Sequence, residues 1–281
     1  MFRRLLTMLQ GRSSMASTNN MPSREVGLRV HEIMFSHRYG EAIALIRQQI
    51  ANGEQHWHGS LGEAYLCDRQ YELAAESFVM ANREADEFDR PRIEHMRLDP
   101  SKNRTGTSLN WLGTAYWLAG QQDLAKATWR GYIEGNLAGE ILYGDAAGGV
   151  TEGLLLWYAG LLTKDEKTCK DALKYLANRA KRGAIKSWPG PLALMILGKK
   201  TAEEILAEHF NTNSIEAAIT AAWTDLLERR HLSNYLLYVG ALALSQGKED
   251  DYWQCLKLCA DLENPIIEDE WYIARGALER R

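Results

Sequence analysis

Two stretches of this chain carry the same kinds of side chain at the same offsets, and that repetition constrains the fold more than any other feature. In SLGEAYLCDRQYELAAESFVMA, Leu61 and Gly62 are followed by Tyr65 and then, past a polar break, by Tyr71, Ala74, Phe78 and Ala81. In LNWLGTAYWLAGQQDLAKATWRGYI the corresponding series is Leu112, Gly113, Tyr116, Ala125 and Trp129, with Gly120 in the break. Residues three and four apart share one face of a helix, so each series reads as two helices joined by a short turn. The small residues let the two helices of a hairpin approach closely, and the large aromatics fill the gap between successive hairpins. A looser third copy, with Val239, Gly240, Ala243 and Gly247 followed by Leu256, lies in LLYVGALALSQGKEDDYWQCLKLCA.

These residues match the tetratricopeptide repeat (TPR), a helix-turn-helix unit of about 34 residues with the pattern W-x2-L-G-x2-Y…A-x3-F…P. The chain resembles that family, and the resemblance implies an all-α fold: a TPR-like α-solenoid of antiparallel helical hairpins forming a right-handed superhelix. One hairpin cannot bury its apolar face alone, so hairpins stack and leave a concave groove. LRVHEIMFSHRYGEAIALIRQQIAN and LLLWYAGLLTKDEKTCKDALKYLANRAKRG read as further hairpins without the full signature, giving five or six in one continuous array. Residues 23–281 are assigned to this repeat domain. Residues 1–22 are expected to be a flexible N-terminal segment, because Ser13 to Asn20 are mostly small and polar.

Local punctuation supports the helical reading. Thr201 with Glu204 forms a capping box opening AEEILAEHF. NPIIEDEWYIARGALERR places Asn264 at an N-cap, Pro265 at the first helical position and acids in the first turn, with Ile267, Trp271, Ala274 and Leu278 as one apolar stripe. Pro189 and Pro191 in KSWPGPLALMILG mark a corner, since proline removes a helix donor and restricts its predecessor. DEFDRPRIEHMRLDPSKNRTG, between the two good repeats, is either an extended second helix or an insertion, and its arginines among acids read as a solvated surface.

Over roughly residues 105–279 the chain is also similar to the NlpI-type TPR lipoproteins of bacterial envelopes, on LLLWYAGLLTKDEKTCKDALKYL, KSWPGPLALMILGKKTAEEIL and the segment from Asn234 to Glu279. That resemblance implies an adaptor, a protein without chemistry of its own that docks peptidases or hydrolases. Those lipoproteins carry an acylated cysteine after a leader, whereas the first cysteine here is Cys67, inside a repeat. MFRRLLTMLQ begins like a leader, but its apolar run is shorter than the usual 7–15 residues. The expectation is a cytoplasmic protein, with a periplasmic or envelope location as the alternative if that segment is a leader.

No cofactor, metal or enzymatic activity is expected. HEIMFSH lacks the second histidine of a zincin, since position 35 is Phe35 and His37 falls off the helical face. His56 and His58 lack a third ligand nearby, and Cys255 with Cys259 supplies only two thiols. GDAAGGVTEG lacks the lysine of a phosphate loop and reads as a flexible connection. A net charge of −4 offers no general attraction to nucleic acid, and no stretch is apolar enough to span a membrane.

The expected partner is therefore another protein, a peptidase or hydrolase under the adaptor reading. The alternative is a cytosolic immunity-type inhibitor that blocks a toxin domain, and a homodimer stays open as an arrangement. By the TPR resemblance, the fifth and ninth positions of the first helices face the groove; here they are Gly59 with Glu63 and Asn110 with Thr114, which do not form the Lys/Asn clamp for chaperone tails. Trp117 is expected to face the same groove, where a tryptophan provides a binding hot spot. Glu63, Asn110, Thr114 and Trp117 are thus the candidate partner-binding residues.

Overall fold

The repeated glycines lie where helices touch. The computed structural model describes residues 24–88, 104–105, 109–142, 145–263 and 268–281, and among them are fourteen α-helices. The first pair, α1 (Arg24–Phe35) and α2 (Tyr39–Ala51), is followed by α3 (His58–Cys67) with α4 (Tyr71–Phe88), α5 (Leu109–Leu118) with α6 (Gln122–Ala138), and α7 (Thr151–Leu162) with α8 (Glu166–Arg179). A 3-10 turn at Gly183–Lys186 leads into three short helices, α9 (Gly190–Ile196), α10 (Ala202–His209) and α11 (Ile215–Ala222). Then come a long hairpin, α12 (Leu226–Ser245) with α13 (Glu249–Ala260), and a last helix, α14 (Asp269–Glu279). Within each pair the helices pack on one another, and α4 packs on α5 and α6 on α7, as consecutive hairpins do.

The glycine positions are dictated by that packing. A Cβ built on Gly62 would lie 2.6 Å from the Phe78 ring, and one on Gly113 would lie 2.3 Å from Trp129 Nε1. On Gly240 it would meet Cys255 Cβ at 2.8 Å, so the third copy makes the same kind of contact with a smaller partner. The aromatic therefore meets the glycine of its own hairpin first. Phe78 also reaches forward to stack on Trp111 of the next hairpin at 6.0 Å, which is the role expected from the sequence.

Caps explain several boundaries. Thr201 and Glu204 form the reciprocal capping box, Asp165 caps α8 through Thr168 N, and Asp225 caps α12 through Leu227 N and Glu228 N. Residues 145–151 form a bonded turn rather than a loose connection. The Asp145 carboxylate accepts from the backbone of Gly149, Val150 and Thr151 and from the Thr151 hydroxyl. Amides that could have met a phosphate are thus already paired with a carboxylate. The final helix begins at Asp269 with Glu268 as its N-cap. Asn264, Pro265 and Ile267, residues 1–22, and most of the insertion lie outside the described residues.

Two short parallel strands, Arg104–Thr105 and Ile141–Leu142, are the only sheet among the described residues. Buried side chains fall into two cores. One is built by α1 to α5 together with Trp271 and Tyr272, and the other by α5 to α13 together with Ile273 and Ala274. Helices α5 and α14 belong to both. Among the described residues no helix is long and apolar enough to cross a membrane.

Candidate functional site

Of the four sequence-predicted contact residues, Thr114 and Trp117 are buried rather than open to a groove. Thr114 is fully buried and donates to Asp269 Oδ1 at 2.6 Å. Trp117 is 4% exposed and lies between Trp129, at 6.3 Å, and Tyr158, at 6.0 Å. Its indole fills the space where α7 meets the α5–α6 hairpin, so its expected outward orientation is replaced by a core position. Glu63 is half-buried; burial raises its carboxyl above the usual range, and the nearby His31 partly offsets this. Asn110 lies in the first turn of α5.

What covers this region is the chain's own last helix. On α14, Asp269, Tyr272, Gly276 and Glu279 recur at helical spacing; the first three meet α3 and α5, and Glu279 meets the turn into α4. Asp269 meets Thr114. Tyr272 hydroxyl bonds Cys67 Sγ at 3.2 Å, and its ring packs edge-on against Trp111. A Cβ on Gly276 would lie 2.3 Å from Leu118 Cδ2. Glu279 accepts from Tyr71 hydroxyl at 3.1 Å and pairs with Arg69 at 2.9 Å. Arg280, just past the helix, donates to the carbonyls of Leu118 at 3.0 Å and Trp117 at 3.5 Å. These are end-of-helix acceptors that α5 cannot satisfy internally.

The densest chemistry lies at the start of α14. Glu270 is 2% exposed and accepts from Asn234 Nδ2 at 2.6 Å and from Tyr238 hydroxyl at 2.9 Å. Asn234 also donates to Glu268 at 3.0 Å and accepts from Trp188 Nε1 at 2.8 Å. Arg230 bonds Glu268. Burial raises the Asp269 carboxyl to about 7, with Glu268 adding to the shift and the Thr114 bond opposing it. Burial likewise raises Glu270, to about 8, with its acidic neighbours contributing. Trp188 stacks on His231 at 4.7 Å, and burial followed by the charge of Arg230 lowers that imidazole to about 4. The sequence shows these acids only as a favourable first helical turn, and nothing in their spacing signals that they are buried.

The other candidates are occupied locally. His31 Nδ1 bonds Gly27 O at 2.8 Å, His37 Nδ1 bonds Tyr39 hydroxyl at 2.8 Å, and His58 pairs with Glu84 at 2.6 Å. Cys255 and Cys259 are buried thiols whose pKa burial pushes up, to about 11 for Cys255. Among the described residues no group of three or more His, Cys, Asp or Glu side chains is placed to hold a metal ion.

An open groove of about 810 Å³ runs between α10, α12 and α13. Val239, Leu242 and Ala243 line it from α12 and Gln246 from that helix's C-cap, and Asp251, Gln254, Cys255 and Leu258 line it from α13. Each set follows the spacing of a single helical face. Val239, Leu242 and Leu258 are half-exposed there, and Lys199, Glu203, Glu216 and Lys248 stand around them. No protein-family model matches this chain, and no curated protein matches it in sequence.

Proposed function

We propose that this chain is a protein-binding scaffold of the TPR-like solenoid type, which holds another protein and performs no chemistry on it. One observation carries the reading: the same glycine-centred contact recurs at Gly62–Phe78, Gly113–Trp129 and Gly240–Cys255. A repeated hairpin of this kind builds extended surfaces from many similar helices. With α14 lying over α3 and α5, Thr114 and Trp117 support the array, and the partner surface is assigned to the groove between α10, α12 and α13. Its two parallel stripes suit an amphipathic helix presented by the partner, whose apolar side chains would cover Val239, Leu242 and Leu258.

A photo-reactive amino acid placed at Leu242 tests this, with one at Leu124, an exposed residue of α6, as control. The reading predicts that one or a few proteins are joined at position 242 and not at 124. It further predicts that the purified partner loses affinity for the Leu242→Glu chain. Cross-links confined to position 124 would count against it. A single partner held at nanomolar strength or tighter would favour the inhibitor form of the same idea over the adaptor form.

A further inference from the structure

The carboxyl cluster at the start of α14 is the part of the molecule least explained by a scaffold role. Three consecutive acids, Glu268, Asp269 and Glu270, enter the structure where α14 meets α5 and α12. Arg230, the basic side chain bonded within the cluster, is bonded to Glu268. Asp269 and Glu270 are 6% and 2% exposed, and their bonded partners are neutral donors: Thr114 from α5, and Asn234 and Tyr238 from α12. Glu268 adds negative charge beside both and pushes their carboxyls further up, and the Arg280 charge acts on the neighbouring Tyr158 rather than on them. Cys259 of α13 lies against the Glu270 carbonyl, and Tyr158 of α7, bonded to Tyr252 of α13, lies near Tyr238. A buried carboxylate without a counter-charge is strongly disfavoured and keeps its proton instead. The start of a helix favours negative charge only modestly.

We propose that Asp269 and Glu270 form a proton-operated hold: α14 is kept against α5 and α12 while these carboxyls are neutral, and loss of their protons in mildly alkaline solution loosens it. The bonding geometry accommodates the neutral form. A protonated Glu270 can donate to the Tyr238 hydroxyl while its other oxygen accepts from Asn234, so both carboxyl oxygens stay paired with the proton in place.

The sign follows from linkage. In an unfolded chain Asp and Glu release their protons near pH 4, whereas here burial holds Asp269 to about 7 and Glu270 to about 8. The folded state therefore keeps protons that the unfolded state has lost. The associated stability is fully present below about pH 4 and is lost as pH rises through about 7 to 8. Loosening α14 would uncover Cys67, Thr114 and Leu118, which gives the hold a consequence for the rest of the surface.

The test compares folding equilibrium constants of the wild-type chain and Glu270→Gln at about pH 6 and about pH 8. Glutamine reproduces the neutral carboxyl, and the histidine and thiol contributions are common to both chains. The ratio of variant to wild type is expected to rise at least about tenfold over that interval, with α14 amides of the wild type exchanging faster at the higher pH after correction for intrinsic rates. An unchanged ratio would overturn the proposal. Infrared spectroscopy of the folded wild type provides a measurement independent of the variant. A protonated carboxylic acid band is expected near pH 6.5 and should fade by pH 9; its absence at the lower pH would also overturn the proposal.

Discussion

The α3–α6 hairpins and the junction that α14 makes with α5 and α12 are both helical, yet they are held together by different chemistry. In the first region a glycine on one helix admits an aromatic from the next, as at Gly62–Phe78 and Gly113–Trp129, and Ala74 and Ala125 are fully buried beside them. In the second, buried acids accept hydrogen bonds from Thr114, Asn234 and Tyr238, and Cys67, Tyr71 and Arg69 meet Tyr272 and Glu279. Close packing is non-directional and tolerates repetition, so the same contact can be used in successive hairpins. A buried polar network depends on each member being paired, which suits a junction formed once.

The largest effect is expected where close packing is densest. Trp129→Ala and Trp117→Ala should each destabilise the chain by about 3–5 kcal/mol, read as a shift in the urea midpoint. For Trp117 this places the cost in the fold, and a variant with unchanged stability would return that residue to the surface.

Thr114→Val tests the other region. The substitution keeps the shape of the side chain but removes the donor to Asp269, and should destabilise by about 1–3 kcal/mol. Gly113→Ala should cost a similar amount, about 1–3 kcal/mol, by overpacking against Trp129. The two differ in their remedy. Trp129→Phe should relieve Gly113→Ala, because the Gly62–Phe78 hairpin already uses the smaller ring, while Asp269→Asn should change the Thr114→Val deficit without affecting Gly113→Ala. If either second substitution acted on the wrong partner, the distinction between the regions would fail. Thr201→Ala, at an exposed cap belonging to neither region, should lose only about 1 kcal/mol.

This contrast also explains what the sequence reveals. Gly62 and Phe78, or Thr201 and Glu204, lie on neighbouring helices or within one turn, so their spacing is written locally. The hairpin pairs, the Pro189–Pro191 corner and the Thr201 capping box were all legible for that reason. The closing contacts join residues 155 positions apart for Thr114 and Asp269, and 205 apart for Cys67 and Tyr272. No periodicity records such a meeting. Trp117 illustrates the limit: its place after Tyr116 suggests an outward side chain, but the position of α7, which brings Tyr158 against it, decides otherwise. Asp269 and Glu270 look like ordinary first-turn acids until α5 and α12 close over them.

Helix α14 lies over α5 and the C-terminal end of α3, and the native cysteines report on that cover. Cys67 is 2% exposed beneath Tyr272, and burial pushes its thiol to about 12; Cys169 is only half-buried. The measurement is site-resolved thiol modification of the native chain at about pH 7, followed by mass spectrometry. Cys169 should react faster than Cys67, and Cys67 no faster than the whole chain unfolds. Modification of Cys67 as fast as that of Cys169, in a chain that remains folded, would contradict it.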